Sequence, residues 1–307
     1  MEQLQVQNPL LETKSINLPP DRYLHSVGTV FAEFGANTQD SGNISYGVQI
    51  DGERYFVKTA GLPDDARPYL DHAARVGLLR NAVRMQADYH HPILLRVQHV
   101  IESPYGPLLV YPWFEGELLG TPRAQRDDPR SPFQRFRSLP ASNIESCLDE
   151  IFDLHVGLSG AGWIAVDFYD GALMYNFESG QLRVMDLETY RDAPFHNEMG
   201  RMFGSTRFMA PEEFELGALI DERTTVFVMG RTALIFLSDG TLNPAAFRGS
   251  EARFAVVSRA CAPERSQRFD SMSAFYRAWR EPDTVPSDPA PGNGLKIIAP
   301  SGLKASL

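Results

Sequence analysis

The sequence predicts an α+β fold in which a β-rich amino-terminal part carrying one helix precedes a mainly α-helical carboxy-terminal part. Three observations predict it. The runs Val30-Phe31, Ile44–Ile50 and Tyr55-Phe56-Val57 are β-rich, and Asp51-Gly52 lies between the last two as a hairpin turn signal. Over 68–89, apolar Leu70, Ala73, Val76, Leu79, Ala82, Val83 and Met85 recur at helical spacing. Over 211–280 the chain reads as a succession of helices at 211–216, 222–237, 250–260 and 270–280.

Taken in order, residues 1–22 are polar, contain Pro19-Pro20 and predict an extension. Strand-like sequence runs over 23–58. The helix at 68–89 ends at His91-Pro92, because the residue before a proline avoids the α region. Strands over 94–101 and 107–111 follow, with Pro104-Tyr105-Gly106 between them, so the amino-terminal unit spans 23–111 and a short connector 112–118. Residues 121–140 are rich in Arg, Pro and Asp and predict a loop. An amphipathic helix is expected over 142–158, with Ile144, Cys147, Leu148, Ile151, Phe152 and His155 near one face. Short strands are expected at 173–176 and 182–185, within a carboxy-terminal unit of 119–280. Pro282, Pro286, Pro289, Pro291 and Pro300, with several Gly and Ser, predict a disordered tail over 281–307.

Composition bounds the partners. The 307 residues are 43% hydrophobic and 22% charged, ordinary for a soluble globular protein. A net charge of −10 argues against nucleic acid or an anionic membrane surface as the main partner. No apolar run approaches the roughly 18 residues of a membrane span. Cys147 and Cys261 have no metal-type spacing and read as buried, reduced thiols of a cytoplasmic protein.

The run Gly204-Ser205-Thr206-Arg207-Phe208-Met209-Ala210-Pro211-Glu212-Glu213-Phe214 carries the most information. It closely resembles the end of a protein-kinase activation segment, G-[ST]-x-R-[FY]-M-A-P-E, in kinases that act on proteins. The resemblance extends over about 23–280 and is to a divergent bacterial-type serine/threonine protein kinase. It implies a bilobal protein-kinase-like fold, with 23–111 as a β-rich N-lobe, 112–118 as a hinge and 119–280 as a helical C-lobe.

The same resemblance assigns roles residue by residue. Phosphoryl transfer needs cations for the phosphates and carboxylates for Mg²⁺. Lys58, at the end of Tyr-Phe-Val-Lys, resembles the third-strand lysine that reaches the α- and β-phosphates of ATP. Gly42 matches one glycine of a phosphate loop that otherwise reads as a polar hairpin, with Asp40 in it. In the following helix the family's glutamate position falls near Asn81 or Ala82, and Asn81 would orient Lys58 without charge. Tyr111 would be the gatekeeper, Trp113 would flank adenine, Phe114 would offer backbone groups to it, and Glu117 would reach the ribose. Asp167 keeps the catalytic-loop aspartate of H-R-D-x-x-x-x-N and would orient the acceptor hydroxyl. Ala172 stands where that loop has its metal-binding Asn, with Asp170 or Asn176 as possible substitutes. Asp186 takes the place of the D-F-G aspartate that binds Mg²⁺. Glu188 replaces the flexible glycine of that motif, and a D-x-[DE] pair can instead offer both carboxylates to metal.

Two structural roles follow from the same likeness. Glu212 would pair with Arg268 of Cys261-Ala262-Pro263-Glu264-Arg265-Ser266-Gln267-Arg268-Phe269, and Thr225 replaces an aspartate that caps the catalytic loop. Ser205 sits where Ser/Thr kinases keep a residue that contacts the catalytic aspartate. The leading expectation is ATP- and Mg²⁺-dependent phosphoryl transfer to Ser or Thr of a protein substrate. The alternatives are a pseudokinase acting as a nucleotide-binding or scaffold module and, third, a small-molecule kinase.

Overall fold

Five strands, the inner ones buried along most of their length, build an antiparallel sheet in the first third of the chain. The computed structural model describes residues 8–35, 42–64 and 70–282. Two short helices, α1 (Pro9–Glu12) and α2 (Pro20–Val27), precede β1 (Thr29–Phe34), β2 (Ile44–Ile50) and β3 (Glu53–Thr59). Helix α3 (His72–Asp88), β4 (His99–Ile101) and β5 (Leu108–Pro112) follow. The strand order is β1-β2-β3-β5-β4, all neighbours antiparallel. Asp51 and Gly52 both take positive φ, +50° and +89°, the geometry a two-residue hairpin turn requires between β2 and β3.

Each face of this sheet is covered. Val48, Val57, Leu108 and Val110 on one face pack with Leu10, Tyr23 and Leu24 of α1 and α2. The Asn8 amide donates to the Tyr55 hydroxyl at 2.8 Å, and the Ile16 N–H and Glu102 C=O bond at 2.9 Å. The extension expected over 1–22 is corrected for residues 8–22: they fold onto the sheet, because its outer apolar face needs a cover. For the same reason 20–27 is helical rather than strand-like. The opposite face packs Leu109 and Tyr111 against Leu79 and Ala82 of α3. Asp71 caps α3 by accepting from the Ala74 N–H at 2.8 Å. The strand expected over 94–101 shortens to β4, because 93–95 pairs elsewhere: the Leu95 N–H donates to Val184 O at 2.8 Å.

The remainder is mainly helical. It comprises β6 (Glu117–Leu118), α4 (Pro132–Arg137), α5 (Ala141–Gly160), β7 (Trp163–Ile164), β8 (Leu173–Tyr175) and β9 (Leu182–Val184). Then come β10 (Arg191–Asp192), β11 (Phe195–His196), β12 (Leu219–Ile220), α6 (Glu222–Leu237), α7 (Glu251–Ala260) and α8 (Met272–Arg280). The expected loop at 121–140 contains α4, capped by Ser131. Its polar composition masks Phe133 and Phe136, three residues apart on one helix face, which pack on Phe236 at 6.0 and 5.0 Å. Phe152 of α5 meets Phe275 and Trp279 of α8 at 4.9 and 5.3 Å, the centre of the helical core. Cys147 and Cys261 lie buried in this core, and burial pushes both thiols up to about 12. The chain is thus a mixed α+β protein, and among the described residues no helix is long and apolar enough to cross a membrane. Of the tail expected over 281–307, residues 283–307 lie outside the described residues.

If α1 is part of the fold, Leu10→Ala should lower the unfolding free energy by about 2–4 kcal/mol, the cost of emptying a fully buried leucine site. Urea denaturation measures this, and an unchanged midpoint would return the segment to the status of an appendage.

Candidate functional site

Strand β3 carries Lys58 on the face that meets α3, where only 6% of its side chain is exposed. A buried ammonium must be paired. Its Nζ donates to the Asp186 carboxylate at 2.5 Å and to the Glu188 carboxylate. Burial alone depresses a lysine, but these two carboxylates outweigh it and hold Lys58 well above the ordinary lysine value. The carboxylates differ in access: Asp186 is 40% exposed, Glu188 only 8%. Burial raises the Glu188 carboxyl while the Lys58 ammonium opposes that rise, and Asp186 is the carboxylate on the accessible side.

The backbone is unusual at the same places. Among the described residues, three that are not glycine have positive φ: Asp51 in the hairpin turn, Asp167 at +59° and Asp186 at +58°. A left-handed conformation costs a non-glycine residue on the order of 1 kcal/mol and persists only where the surroundings enforce it. For Asp186 the enforcement comes from Met185, whose N–H donates to Ala172 O at 2.9 Å, and from Asn81 of α3. The Asn81 amide donates to Glu188 O and Tyr190 O, both at 2.7 Å. Asn81 therefore clamps the backbone after Asp186, and the expectation that it orients Lys58 directly is corrected.

The loop around Asp167 is supported from below. The Ala165 N–H donates to Thr225 Oγ1 at 3.1 Å, so Thr225 keeps one backbone bond of the expected cap. Thr189 Oγ1 donates to Val166 O at 2.8 Å, and β10 pairs with β7, joining the Asp167 and Asp186 segments. Beneath them lies His155. Its Nδ1–H donates to Ile151 O and its Nε2 accepts from the Tyr190 hydroxyl, both at 2.7 Å. Burial pulls this imidazole down to about 4, so it stays neutral in the fold.

On the other side, Asp167 shares a small recess with Gly204, Ser205, Met209 and Glu213. Gly204 has φ +138°, and a Cβ there would crowd Met209 at 3.2 Å. Burial pushes the Glu213 carboxyl up to about 8, against the bond it accepts from the Ala210 N–H and with the charges of Glu212 and Asp167. Arg207 pairs with buried Asp170 at 2.5 Å, tying the run 204–214 to the Asp167 loop. Glu212 is gripped bidentately by Arg268 at 2.7 and 2.9 Å, and Thr224 Oγ1 donates to it at 2.7 Å, as the expected pairing required.

Other expected site residues are otherwise engaged. Asp170 serves Arg207, and Asn176 holds the β8–β9 turn, its Oδ1 accepting from Glu178 and Ser179 N–H at 2.9 Å and its amide donating to Glu115 O. Glu117 pairs with Arg135 at 2.7 Å, both side chains partly exposed. Trp113 packs edge-on against Phe31 at 4.9 Å, and its backbone N–H donates to Arg54 O at 3.1 Å. The Phe114 carbonyl accepts from the Gly116 N–H at 3.0 Å. Gly42 has φ +81° and gives its carbonyl to buried Arg75 at 2.7 Å; residues 37–41 of the expected phosphate loop, with Asp40, lie outside the described residues.

Among the described residues no group of three or more His, Cys, Asp or Glu side chains is arranged to hold a metal ion. A Mg²⁺ ion carried on phosphates needs only one or two carboxylates from a protein. Asp186, half-exposed beside a paired ammonium, fits that requirement. Sequence reasoning missed Glu188 as the partner of Lys58, and it missed Asp170–Arg207 and His155–Tyr190. A lysine inside a strand with no acid in α3 to meet it was the available signal for Glu188. No protein-family model matches the chain, and no curated protein matches it.

His155 gives a pH prediction. The unfolded imidazole binds a proton below about 6.5 and the folded one only below about 4, so its contribution is present above pH 6.5 and lost as pH falls towards 4. The unfolding free energy of the wild type relative to His155→Gln should fall by about 3 kcal/mol across that window. Chemical denaturation at stepped pH measures it, and a constant difference would contradict the buried neutral imidazole.

Proposed function

We propose that the chain is a protein-kinase-like phosphotransferase of bilobal architecture, transferring the γ-phosphoryl group of ATP to a Ser or Thr hydroxyl of a protein. The observation that carries this reading is the Lys58–Asp186–Glu188 cluster, whose accessible carboxylate sits in a left-handed backbone conformation shared with Asp167. The anchored run 204–214 beside Asp167 supports a peptide-type acceptor. Mg²⁺, when bound with ATP, supplies charge neutralisation for the phosphates. Lys58 binds phosphate oxygens through its ammonium. Asp186 is the carboxylate that would hold the metal. Asp167 accepts a hydrogen bond from the acceptor hydroxyl and aims its oxygen, and Gly204 leaves room for that approach.

One observation favours a second reading, a nucleotide-binding scaffold on the same architecture. Ala172 lies against the Met185 N–H and brings no side-chain oxygen to the place next to Asp186. Its signature would be MgATP binding without transfer.

Incubation with γ-labelled ATP, Mg²⁺ and a peptide array tests the first reading. The wild type should label Ser/Thr peptides, and Asp167→Ala and Asp186→Ala should each lower incorporation at least about 100-fold. Equal incorporation by all three proteins would sink it.

A further inference from the structure

The carboxylate that holds Lys58 comes from an unexpected element. Helix α3, which packs on the same sheet face, sends no acid to the lysine; the nearest positions carry Asn81 and Ala82. Glu188 supplies the buried carboxylate instead, two residues beyond Asp186 on the same segment. Asn81 adds two bonds to the backbone of that segment, and Arg84, donating to Asn81 Oδ1 at 2.9 Å and to Asp192 at 3.0 Å, reinforces the clamp. Ala82, Tyr111, Asp186 and Glu188 line one 20 Å³ cavity beside the pair.

We infer that the Asp186-Leu187-Glu188 segment divides its carboxylates: Asp186 serves the cation, and Glu188 is the positioning residue for Lys58, replacing a helix-borne acid. The inference deepens the phosphoryl-transfer reading and rests on it for the role of the cation. It opposes the alternative in which both carboxylates ligate metal. Glu188 is buried against an ammonium, and a divalent cation there would meet Lys58 at contact distance with like charge. It also implies a form of regulation that is missing. Because the lysine and its partner acid are tied through the segment that carries Asp186, moving a charged residue of α3 cannot pair or unpair Lys58.

The test combines folding and nucleotide titration on the full chain. Unfolding equilibria are measured for Lys58→Met, Glu188→Gln, Asp186→Asn and the two doubles with Lys58→Met. Lys58 and Glu188 should be coupled by about 100-fold in the unfolding equilibrium constant, the scale of a buried pair, and Lys58 and Asp186, which also bond but with Asp186 partly in solvent, by about 10-fold. Equal coupling, or a larger one to Asp186, overturns the division. ATP is then titrated with and without Mg²⁺. Glu188→Gln should weaken ATP about ten-fold under both conditions while keeping the Mg²⁺ enhancement, and Asp186→Asn should lose that enhancement. Loss of the enhancement in Glu188→Gln overturns the division as well. A wild type that binds no nucleotide ends the phosphoryl-transfer reading, while the folding cycle still decides the pairing. If Glu188→Gln does not fold, the double with Lys58→Met decides: a double that folds supports the pairing, since removing both charges strands neither, and a double that stays unfolded overturns it.

Discussion

Lys58 imposes the constraint on which the rest of the site depends. A strand-borne ammonium with almost no access to water would cost several kcal/mol if left unpaired. The chain meets that cost by bringing the 186–188 segment under the sheet, which requires Asp186 to adopt a left-handed backbone. That conformation in turn needs the Ala172 carbonyl behind it and the Asn81 clamp in front. Sheet, helix α3 and the β8–β9 hairpin are therefore fixed relative to one another through one buried charge.

The second part of the site is held by different means. Around Asp167 the supports are mostly neutral: Thr225, Thr189 and the His155–Tyr190 pair. Charge is concentrated farther out, in Asp170–Arg207 and in the Glu212–Arg268 fork, and these two pairs lock the run 204–214 against the helical core. A buried fork of this kind is weak evidence for net stability, yet removing either partner would strand a charge in the core. The run 204–214 is held by side-chain pairs that the chain itself supplies, Arg207–Asp170 and Arg268–Glu212.

Much of this was legible in the sequence. β-rich runs and Asp51-Gly52 made the β2–β3 hairpin readable, and helical spacing made α3 and α5 readable, because each of those helices buries an apolar face. The Glu212–Arg268 pair was readable because both residues sit in recognisable runs. What escaped was set by tertiary cover. Leu10, Tyr23 and Leu24 are too sparse among prolines and polar residues to announce α1 and α2, and only the open sheet face explains them. Phe133 and Phe136 were hidden by the arginines around them. Glu188 was visible as a carboxylate, but its partner is 130 positions away and no periodicity connects them. Asp170 and Asn176 were plausible ligands by spacing, yet each had a nearer partner to satisfy.

The central claim, that this cluster receives a metal-bound nucleotide, is tested most directly by a crystal structure of the chain with a non-hydrolysable ATP analogue and Mg²⁺. The account predicts Asp186 on the metal at about 2.1 Å, Lys58 turned to phosphate oxygens, and Glu188 still paired with Lys58. A nucleotide bound elsewhere, or Glu188 on the metal with Lys58 displaced from it, would contradict the account.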